Sequence, residues 1–573
     1  MSKAHKMEQR MSGMERSAQS PASGAQAANQ HPEDYWFANQ RETFWDNLLV
    51  EEGDGEAAWD ILIIGGGITG AGVLREAARL GLRALLVDQR DFAWGTSSRS
   101  SKMVHGGLRY LTQGDFRLTR EAVVERQRML DEAPGLVEPM KYLYPFRKGD
   151  FPGRWAFNLV LRVYDWFAGR RDYRYFGKQM LEYFLPGLRD AGLYGGTQYT
   201  DAVTDDARLV IRVLDEAREA GGVAMNYIKA NQLFYKDGHV AGAELEDVET
   251  QRQATIRAKL VVNATGAWAD RLRGEVVDEK RVRPLRGSHV VVPSWRLPVH
   301  QALAYQHPVD KRFTFIYPWE GATVIGTTDI DHRDNLDIEA GITQQELDYI
   351  LEGANHQFPS VKLQREDVLT TWSGVRPIVG KAGVDPLNIK PSSARRDHVV
   401  WDDSGLITVT GGKLTTFRVI ALDVLKAASK TLDLGNVDDS DSRVFTAVSP
   451  HLSRLRHLGY GPTVQRRIAG FYGSKAEAMV SQAEVDELSF VPGGFNFWVE
   501  LRWAARREAV VHLDDLLLRR TRLGMLLARG GLDFSAQIET ICREELGWSR
   551  ETWDSELERY TQIWQRYYSL PTQ

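Results

Sequence analysis

The sequence predicts a mixed α/β (α+β) protein, built on a doubly wound parallel sheet and completed by a helical domain at the C-terminus. Three observations lead to this prediction. A short apolar strand at residues 59–64 ends abruptly in the glycine-rich run GGGITGAG. Strand-length apolar runs and helical patterns then alternate to about residue 440. Beyond the acidic segment 436–442 only amphipathic helical patterns remain, among them residues 463–473, 497–510, 513–527 and 556–568.

Length and charge limit the classes of protein to consider. The chain has 573 residues, which predicts two or three packed units. Its hydrophobic fraction of 43% and charged fraction of 26% are typical of a globular protein. With 72 Lys and Arg against 77 Asp and Glu, the net charge is −5, so there is no basic surplus to predict nucleic-acid binding. A homo-oligomer is compatible with the sequence, which does not define the oligomeric state.

Cysteine content and the N-terminal segment indicate the compartment. The single cysteine, Cys542, excludes an internal disulfide, a Cys-rich zinc site and an iron–sulfur cluster, and we predict no metal site. The first residues carry charge but no apolar core typical of a secretory signal. No run of 18 apolar residues predicts a transmembrane helix. We therefore expect a protein on the cytoplasmic side of the cell membrane.

The chain divides into four segments. Residues 1–32, rich in Ser, Ala and Gln, are expected to be disordered. Residues 33–58 form an amphipathic helical lead-in, whose apolar face packs on the body of the protein or contacts a membrane or partner. Residues 59–435 form the α/β part and residues 443–573 the helical domain. The apolar face of the lead-in comprises Trp36, Phe37, Phe44, Trp45 and Leu48.

The glycine-rich run predicts a dinucleotide site because it lies between a strand and a helix. Gly65 allows the tight turn, Gly67 allows the backbone to approach a pyrophosphate, and Gly70 allows the helix to pack closely on the sheet. The helix N-terminus offers N–H groups and a positive dipole end to the phosphates. Asp88 ends the next predicted strand, where a carboxylate accepts hydrogen bonds from a ribose.

The segments that follow favour FAD over NAD. A long loop after Asp88 is dense in hydroxyls, and such a loop suits a flavin that stays bound throughout the cycle. Two later strand ends also carry glycines. A Walker-type phosphate loop around Lys413 is rejected because position 407 is Ile where a glycine would be required. The remaining predicted cofactor-binding residues are Thr96, Ser97, Ser98, Ser101, Lys102, Gly266, Gly411, Gly412, Thr415 and Thr416.

Five segments resemble those of the FAD-dependent, quinone-linked glycerol-3-phosphate dehydrogenases. They are TSSRSSKMVHGGLRYL, RGSHVVVP, IGTTD, WSGVRP and GGKLTTFR, and the resemblance runs from about residue 58 to the C-terminus. It implies an FAD domain interleaved with an antiparallel-sheet substrate domain within residues 59–435. It also implies oxidation of sn-glycerol 3-phosphate to dihydroxyacetone phosphate, with electrons passing to a membrane quinone. An oxidase that uses O₂ and a D-amino-acid-oxidase-like enzyme are the alternatives.

Candidate substrate residues are cations at or near the ends of predicted strands, because a phosphate monoester is best held by charged donors. Arg109, Arg376 and Arg396 are expected to bind the substrate together with Lys413, and Tyr110 to orient its hydroxyl.

Hydride transfer also needs a general base for the hydroxyl proton, and histidine is the usual residue for this role. His105 and His289 are both candidates, and the sequence does not choose between them. Arg376 and Lys413 are expected to stabilise negative charge that develops during the reaction.

Residues 151–174 are the candidate membrane contact. Aromatic and aliphatic side chains there alternate with arginines, a pattern that favours an anionic lipid surface. A core helix with snorkelling arginines is the alternative. We expect the protein to lie peripherally on the inner face of the cell membrane, and charge reversal at Arg170 and Arg171 to release it. The aromatic and aliphatic residues are Trp155, Leu159, Tyr164 and Trp166, with Arg154 and Arg162 beside them.

Overall fold

The computed structural model describes residues 36, 40–51, 59–108, 111, 114–169, 171–380, 397–438 and 442–571. The predicted disordered segment 1–32 lies outside the described residues. The same holds for Phe37, Arg109, Tyr110, Arg170 and Arg396.

The described residues form two sheets and a set of helices that surround them. The strands are β1 Trp59–Ile64, β2 Ala84–Val87, β3 Met103–Val104, β4 Val137–Arg147, β5 Arg174–Gly177, β6 Leu193–Thr204, β7 Val223–Met225, β8 Ile228–Lys236, β9 His239–Asp247, β10 Gln253–Asn263, β11 Val282–Pro293, β12 Ala302–Gln306, β13 Phe313–Trp319, β14 Ala322–Gly326, β15 Ile330–Asp331, β16 Thr370–Val379, β17 His398–Asp403 and β18 Leu406–Gly411. The helices are α1 Arg41–Glu51, α2 Ile68–Arg79, α3 Phe116–Glu132, α4 Arg154–Phe167, α5 Lys178–Phe184, α6 Asp206–Glu219, α7 Ala269–Arg273, α8 Gln344–Gln357, α9 Phe417–Ala428, α10 Ser453–His457, α11 Pro462–Tyr472, α12 Ala476–Gln482, α13 Trp498–Arg507, α14 Leu523–Leu526, α15 Ser535–Leu546 and α16 Arg550–Tyr567.

The first sheet is the predicted doubly wound sheet. Strands β18, β10, β1, β2 and β7 lie side by side and parallel, and β17 joins the edge antiparallel to β18. Strand β1 is apolar and almost wholly buried, as expected for a parallel strand with both faces covered. Helix α2 packs against α6 and α9 on one face. Ile64, Val87 and Asn263 end their strands at the same level, so the loops that follow meet at one edge.

The second sheet is drawn from segments that alternate with those of the first. Its order is β15, β11, β14, β13, β12, β4, β6 and β3, with β16 on β11 and β5 on β6. The pairs are antiparallel except for β4 and β12, which run parallel. The chain leaves the first sheet after β2 and after β10 and returns each time, so the expected interleaving of the two sheets is confirmed.

The lead-in packs on the body of the protein. Phe44, Trp45 and Leu48 of α1 are buried in the cluster beneath the first sheet. Trp36 stacks on Phe92 at 5.2 Å between ring centroids, and its indole nitrogen donates a hydrogen bond to a backbone carbonyl oxygen of β7.

The C-terminal part is helical, as predicted, but it does not form a core of its own. Its apolar side chains belong to the same two clusters that fill the space around the parallel and antiparallel sheets. The prediction of one amphipathic helix over residues 513–527 was wrong. A π-helical turn at Asp515–Arg520 and the short helix α14 occupy this stretch, separated by Arg522 at a φ of 61°. The stretch is buried on nearly all sides, so a surface helix does not form.

Buried arginines hold this stretch against the first sheet. Arg519 and Arg520 both bind the carboxylate of Asp91, which lies at the start of the hydroxyl-rich loop. Arg522 binds Asp205 with its Nε at 3.1 Å, and its guanidinium also contacts Asp206. Because all these side chains are almost wholly excluded from solvent, loss of one cation would leave a buried carboxylate without compensation.

The substitution Arg522→Met should therefore destabilise the protein by about 3–5 kcal/mol, the usual cost of removing one partner from a buried ion pair. Denaturant unfolding followed by tryptophan fluorescence would measure this change. The matched control is Arg550→Met, since Arg550 pairs with Asp554 at the surface and should matter little. Equal unfolding midpoints for the two variants would contradict the prediction.

Candidate cofactor and substrate site

One large cavity, of about 1140 Å³, connects the two sheets. One end lies at the carboxyl edge of the parallel strands, at the glycine-rich turn. The other end lies between β4, β6 and β13 of the antiparallel sheet and helix α4. In open α/β sheets a ligand binds outside the carboxyl ends of the strands, so the position of this cavity marks it as the ligand site.

The glycine-rich turn is packed so closely that it requires glycine. Gly65 has a φ of 118°, and a Cβ there would lie 2.5 Å from the carbonyl oxygen of Ala264. A Cβ at Gly70 would lie 1.9 Å from the carbonyl oxygen of Gly65. Gly67 caps helix α2, whose N-terminus opens into the cavity. The turn thus presents bare backbone and the positive end of a helix dipole, which suits a pyrophosphate.

Asp88 lies beside this turn. Its carboxylate accepts hydrogen bonds from the backbone nitrogens of Gly66, at 2.6 Å, and Arg90, at 2.9 Å. Burial raises the pKa of Asp88 to about 6, against the lowering effect of these two donors. Asp88 lines the cavity next to the N-terminus of α2, so the acid and the glycines meet where the sequence predicted.

The hydroxyl-rich loop has an inner and an outer side. Thr96, Ser97 and Ser101 line the cavity, and the hydroxyl oxygen of Ser97 accepts a hydrogen bond from the backbone nitrogen of Ile68 at 3.0 Å. Ser98 is buried and is absent from the lining.

Lys102 is also absent from the lining, because its side chain points into the interior. Its Nζ lies 2.8 Å from Asp206 and 3.0 Å from the carbonyl oxygen of Ser98. Burial lowers its pKa to about 8. Ser98 and Lys102 lie in the hydroxyl-rich loop, but both side chains are buried and neither lines the cavity.

The two later glycine-bearing strand ends also reach the cavity. Gly266, Gly411, Gly412 and Thr415 line it, and the Thr415 hydroxyl donates a hydrogen bond to the carbonyl oxygen of His105 at 3.3 Å. Thr416 is buried outside the lining.

The structure separates the two candidate histidines. His105 lines the cavity. His289 is 1% exposed, is absent from the lining and stacks on Trp372 with 4.8 Å between ring centroids. Burial, with the charges of Arg376 and Lys102 nearby, holds the pKa of His289 well below its usual value, so the ring is neutral. Its Nε2 lies 2.8 Å from the hydroxyl of Ser101, through which it contacts the cavity wall.

Arg376 lies on the cavity wall in a fixed orientation. Its guanidinium is 3.3 Å from the carboxylate of Asp329 and 3.1 Å from the Thr327 hydroxyl. A second arginine, Arg312, lies 3.6 Å from the same carboxylate and also lines the cavity, as does Lys413. Asp329 thus holds two guanidinium groups side by side. Arg109, Tyr110 and Arg396 lie outside the described residues.

Sequence reasoning missed Arg312, Asp201 and Asp329. Arg312 and Asp201 line the cavity, and Asp329 pairs with Arg312 and Arg376. Arg312 precedes strand β13 like many surface arginines, so nothing local distinguishes it. Asp329 was visible as the end of the IGTTD segment. An aspartate at the end of that segment is a candidate ion-pair partner for an arginine, so Asp329 could have been predicted.

Comparisons with known proteins agree with this geometry. Residues 60–418 match the family described as FAD dependent oxidoreductase, and residues 444–553 match the C-terminal domain of alpha-glycerophosphate oxidase. The aerobic glycerol-3-phosphate dehydrogenase of Staphylococcus aureus is 34% identical over 546 residues, which cover 91% of this chain and 95% of that relative.

Two solved structures are similar as well. The structure of a glycerol-3-phosphate dehydrogenase from Bacillus halodurans, complexed with FAD, is 28% identical with a TM-score of 0.71 and covers 92% of this chain and 98% of that one. An FAD-bound L-alpha-glycerophosphate oxidase from Mycoplasma pneumoniae has a TM-score of 0.52 at 17% identity, over 65% of this chain and 94% of that one. This second likeness shows the fold alone.

A glycine turn at the edge of a parallel sheet, sharing its cavity with an antiparallel sheet, is the arrangement of an FAD-dependent oxidoreductase, and the match over residues 60–418 places the protein in that class. Within the class, the chain belongs to the FAD-dependent glycerol-3-phosphate dehydrogenases. The resemblance found in the sequence and the prediction of FAD are therefore confirmed.

Proposed function

We propose that the protein oxidises sn-glycerol 3-phosphate to dihydroxyacetone phosphate, with FAD as the hydride acceptor and a membrane quinone as the final electron acceptor. One observation carries this proposal. The cavity that contains the pyrophosphate turn is also lined by two arginines, Arg312 and Arg376, whose guanidinium groups are held side by side by Asp329. Paired guanidinium groups suit the oxygens of a phosphate monoester.

The cofactor residues are those that form the glycine-rich end of the cavity. Gly65, Gly67 and the N-terminus of α2 would hold the pyrophosphate, and Asp88 the ribose. The inner side of the hydroxyl-rich loop and the glycines at 266, 411 and 412 would enclose the rest of the molecule. When bound, FAD supplies the two-electron chemistry of the reaction.

His105 is the general base that we propose for the substrate hydroxyl. It lines the cavity, whereas His289 is buried behind Ser101. A base must come within hydrogen-bond reach of the proton that it accepts, and His289 cannot do so directly. Arg376 and Lys413, which also line the cavity, would stabilise negative charge on the substrate oxygen as the proton leaves.

The lining at the far end of the cavity supports a quinone as the electron acceptor. Phe151, Pro152, Ala156 and Val160 line it there, and all belong to α4 or the turn before it. An apolar wall of this kind suits the ring of a quinone. We therefore propose that the acceptor approaches from the side of the molecule on which α4 lies.

The outer face of α4 would lie on the membrane surface. Trp155 is 82% exposed, Trp166 75% and Leu159 61%, which is unusual for large apolar side chains on one helix. Arg162 and Arg171 are exposed beside them, and their charge complements anionic lipid. In the described part of the chain, the helices are all too short or too polar to span a bilayer.

The double charge reversal Arg162→Glu and Arg171→Glu should move the protein from the membrane to the soluble fraction. Each basic residue near an anionic surface contributes about 1 kcal/mol to the free energy of membrane binding. Reversing two such charges therefore replaces attraction to the lipid by repulsion. Flotation with vesicles that contain phosphatidylglycerol would measure the effect. Lys236→Glu with Arg456→Glu, an equal change of charge at exposed positions on other elements, is the control. Equal flotation of both double variants would contradict the membrane contact.

Anaerobic titration with glycerol 3-phosphate tests the proposed substrate. We expect the flavin absorbance of the purified protein to bleach on addition of this compound and to be unaffected by D-alanine. A D-amino-acid-oxidase-like enzyme would give the reverse result. A spectrum that does not respond to glycerol 3-phosphate would overturn the proposed function.

An oxidase that transfers electrons to O₂ is the second candidate. It is favoured by the match of residues 444–553 to the C-terminal domain of alpha-glycerophosphate oxidase. Oxygen consumption with glycerol 3-phosphate, measured with and without a quinone analogue, separates the two. We expect slow oxygen uptake alone and fast turnover when the quinone is added.

A further inference from the structure

A buried polar cluster lies behind the turn that carries His105. It consists of Tyr164 on α4, Asp201 on β6 and Arg126 on α3. The side chains of Tyr164 and Arg126 are 1% exposed, and Asp201 is 4% exposed. The Tyr164 hydroxyl donates to Asp201, and Arg126 donates to both, with 2.9 Å between its Nη1 and the Tyr164 oxygen.

The cluster holds the backbone of the turn directly. The backbone nitrogen of Gly106 donates to the Tyr164 hydroxyl at 2.9 Å and to the carboxylate of Asp201 at 3.2 Å. A Cβ at Gly106 would lie 2.3 Å from that hydroxyl oxygen, so the turn is in close contact with the tyrosine. The residue before this nitrogen is His105, whose position along the cavity wall therefore depends on where Tyr164 lies.

The hydroxyl of Tyr164 has little freedom to move. It donates one hydrogen bond and accepts two, which is its full capacity. Burial and the neighbouring carboxylate raise its pKa well above the usual value, so the hydroxyl keeps its proton and the donor role persists. The ring is buried on the inner side of α4, next to Val123 and Leu111.

We propose that Tyr164 is a positioning residue for His105, acting through the backbone nitrogen of Gly106. The inference rests on the proposed function in one respect, since it takes His105 as the group that receives the substrate proton. Tyr164 is absent from the cavity lining, so it would contact neither substrate nor cofactor. It holds the turn, and with it His105, at the distance from the opposite cavity wall that proton transfer requires. A small displacement of the turn would lower the rate of this step.

Tyr164→Phe, studied as the FAD-loaded protein, tests this role because it removes only one oxygen atom. We expect the rate constant for anaerobic flavin reduction by glycerol 3-phosphate to fall about ten- to a hundredfold, with the dissociation constant of that substrate and the FAD content unchanged. Hydrogen exchange at residues 104–108 should become faster, because Gly106 loses a well-ordered acceptor. If the substitution only weakened the fold, stability would fall, and the rate constant and the substrate affinity would change together.

Tyr305→Phe is the matched control. Tyr305 is 1% exposed, its hydroxyl has no hydrogen-bond partner among the described residues, and it lies outside the cavity lining. We expect wild-type reduction and exchange for this variant. If flavin in the Tyr164→Phe variant were reduced at the wild-type rate, the positioning role would be overturned, whatever the hydrogen exchange at residues 104–108 showed. Failure of the wild-type flavin to respond to glycerol 3-phosphate would instead overturn the proposed function, and hydrogen exchange at residues 104–108 would then decide the positioning role by itself.

Discussion

Replacing Arg376 by alanine should raise the KM for glycerol 3-phosphate by about ten- to a hundredfold while leaving the KM for free glycerol nearly unchanged. A hydrogen bond to a charged group contributes about 1.5–3 kcal/mol, and about 1.4 kcal/mol corresponds to a tenfold change in affinity. Asp329 and Thr327 hold the guanidinium in place before substrate arrives, so little of this energy is lost to ordering. Steady-state kinetics with both alcohols measures the difference.

Arg296→Ala is the matched control for this substitution. Arg296 also pairs with an aspartate, Asp367, but it lies outside the cavity lining. We expect its kinetic constants to stay close to those of the unaltered protein. Equal increases in KM for glycerol 3-phosphate and glycerol in Arg376→Ala would show that Arg376 does not contact the phosphate.

The fold of the first sheet was largely predictable because its signals are local. Residues 59–64 are continuously apolar, the turn after them is glycine-rich, and a helical pattern follows. Parallel strands that follow one another must end at the same edge of the sheet, so Gly65, Asp88 and Gly266 could be brought to one site from the sequence. The same reasoning identified the loop that carries Thr96 and Ser97.

The sequence is least informative where tertiary packing decides the local structure. Residues 513–527 have a helical pattern, yet buried ion pairs with distant aspartates break the helix at Arg522. His289 lies in a strand that is buried along most of its length, and no periodicity shows which face of such a strand borders a cavity. The pairing of Arg312 with Asp329 brings together two segments that are unremarkable when each is read separately. Such contacts form only when the strands assemble into the sheet, so they cannot be predicted from either segment alone.

The substitution Gly70→Ala should remove most of the bound FAD. A Cβ at this position would lie 1.9 Å from the carbonyl oxygen of Gly65, where ordinary contacts begin at 3.4 Å. The helix would therefore have to move away from the sheet, or the turn would have to open, and either change displaces the N-terminus of α2 from the pyrophosphate. Flavin absorbance per mole of purified chain measures the loss, and far-ultraviolet circular dichroism shows whether the fold persists.

Gly177→Ala is the control for this substitution. Gly177 is the N-cap of α5, and Gly70 lies in the first turn of α2, but at Gly177 no atom lies within 4 Å of the position of a Cβ. We expect that variant to purify with its full content of flavin. Gly70→Ala could retain as much flavin as Gly177→Ala only if helix α2 or the turn moved to make room for the new Cβ without loss of the cofactor. The pyrophosphate could then not depend on that packing, and the role assigned to the glycine-rich turn would be wrong.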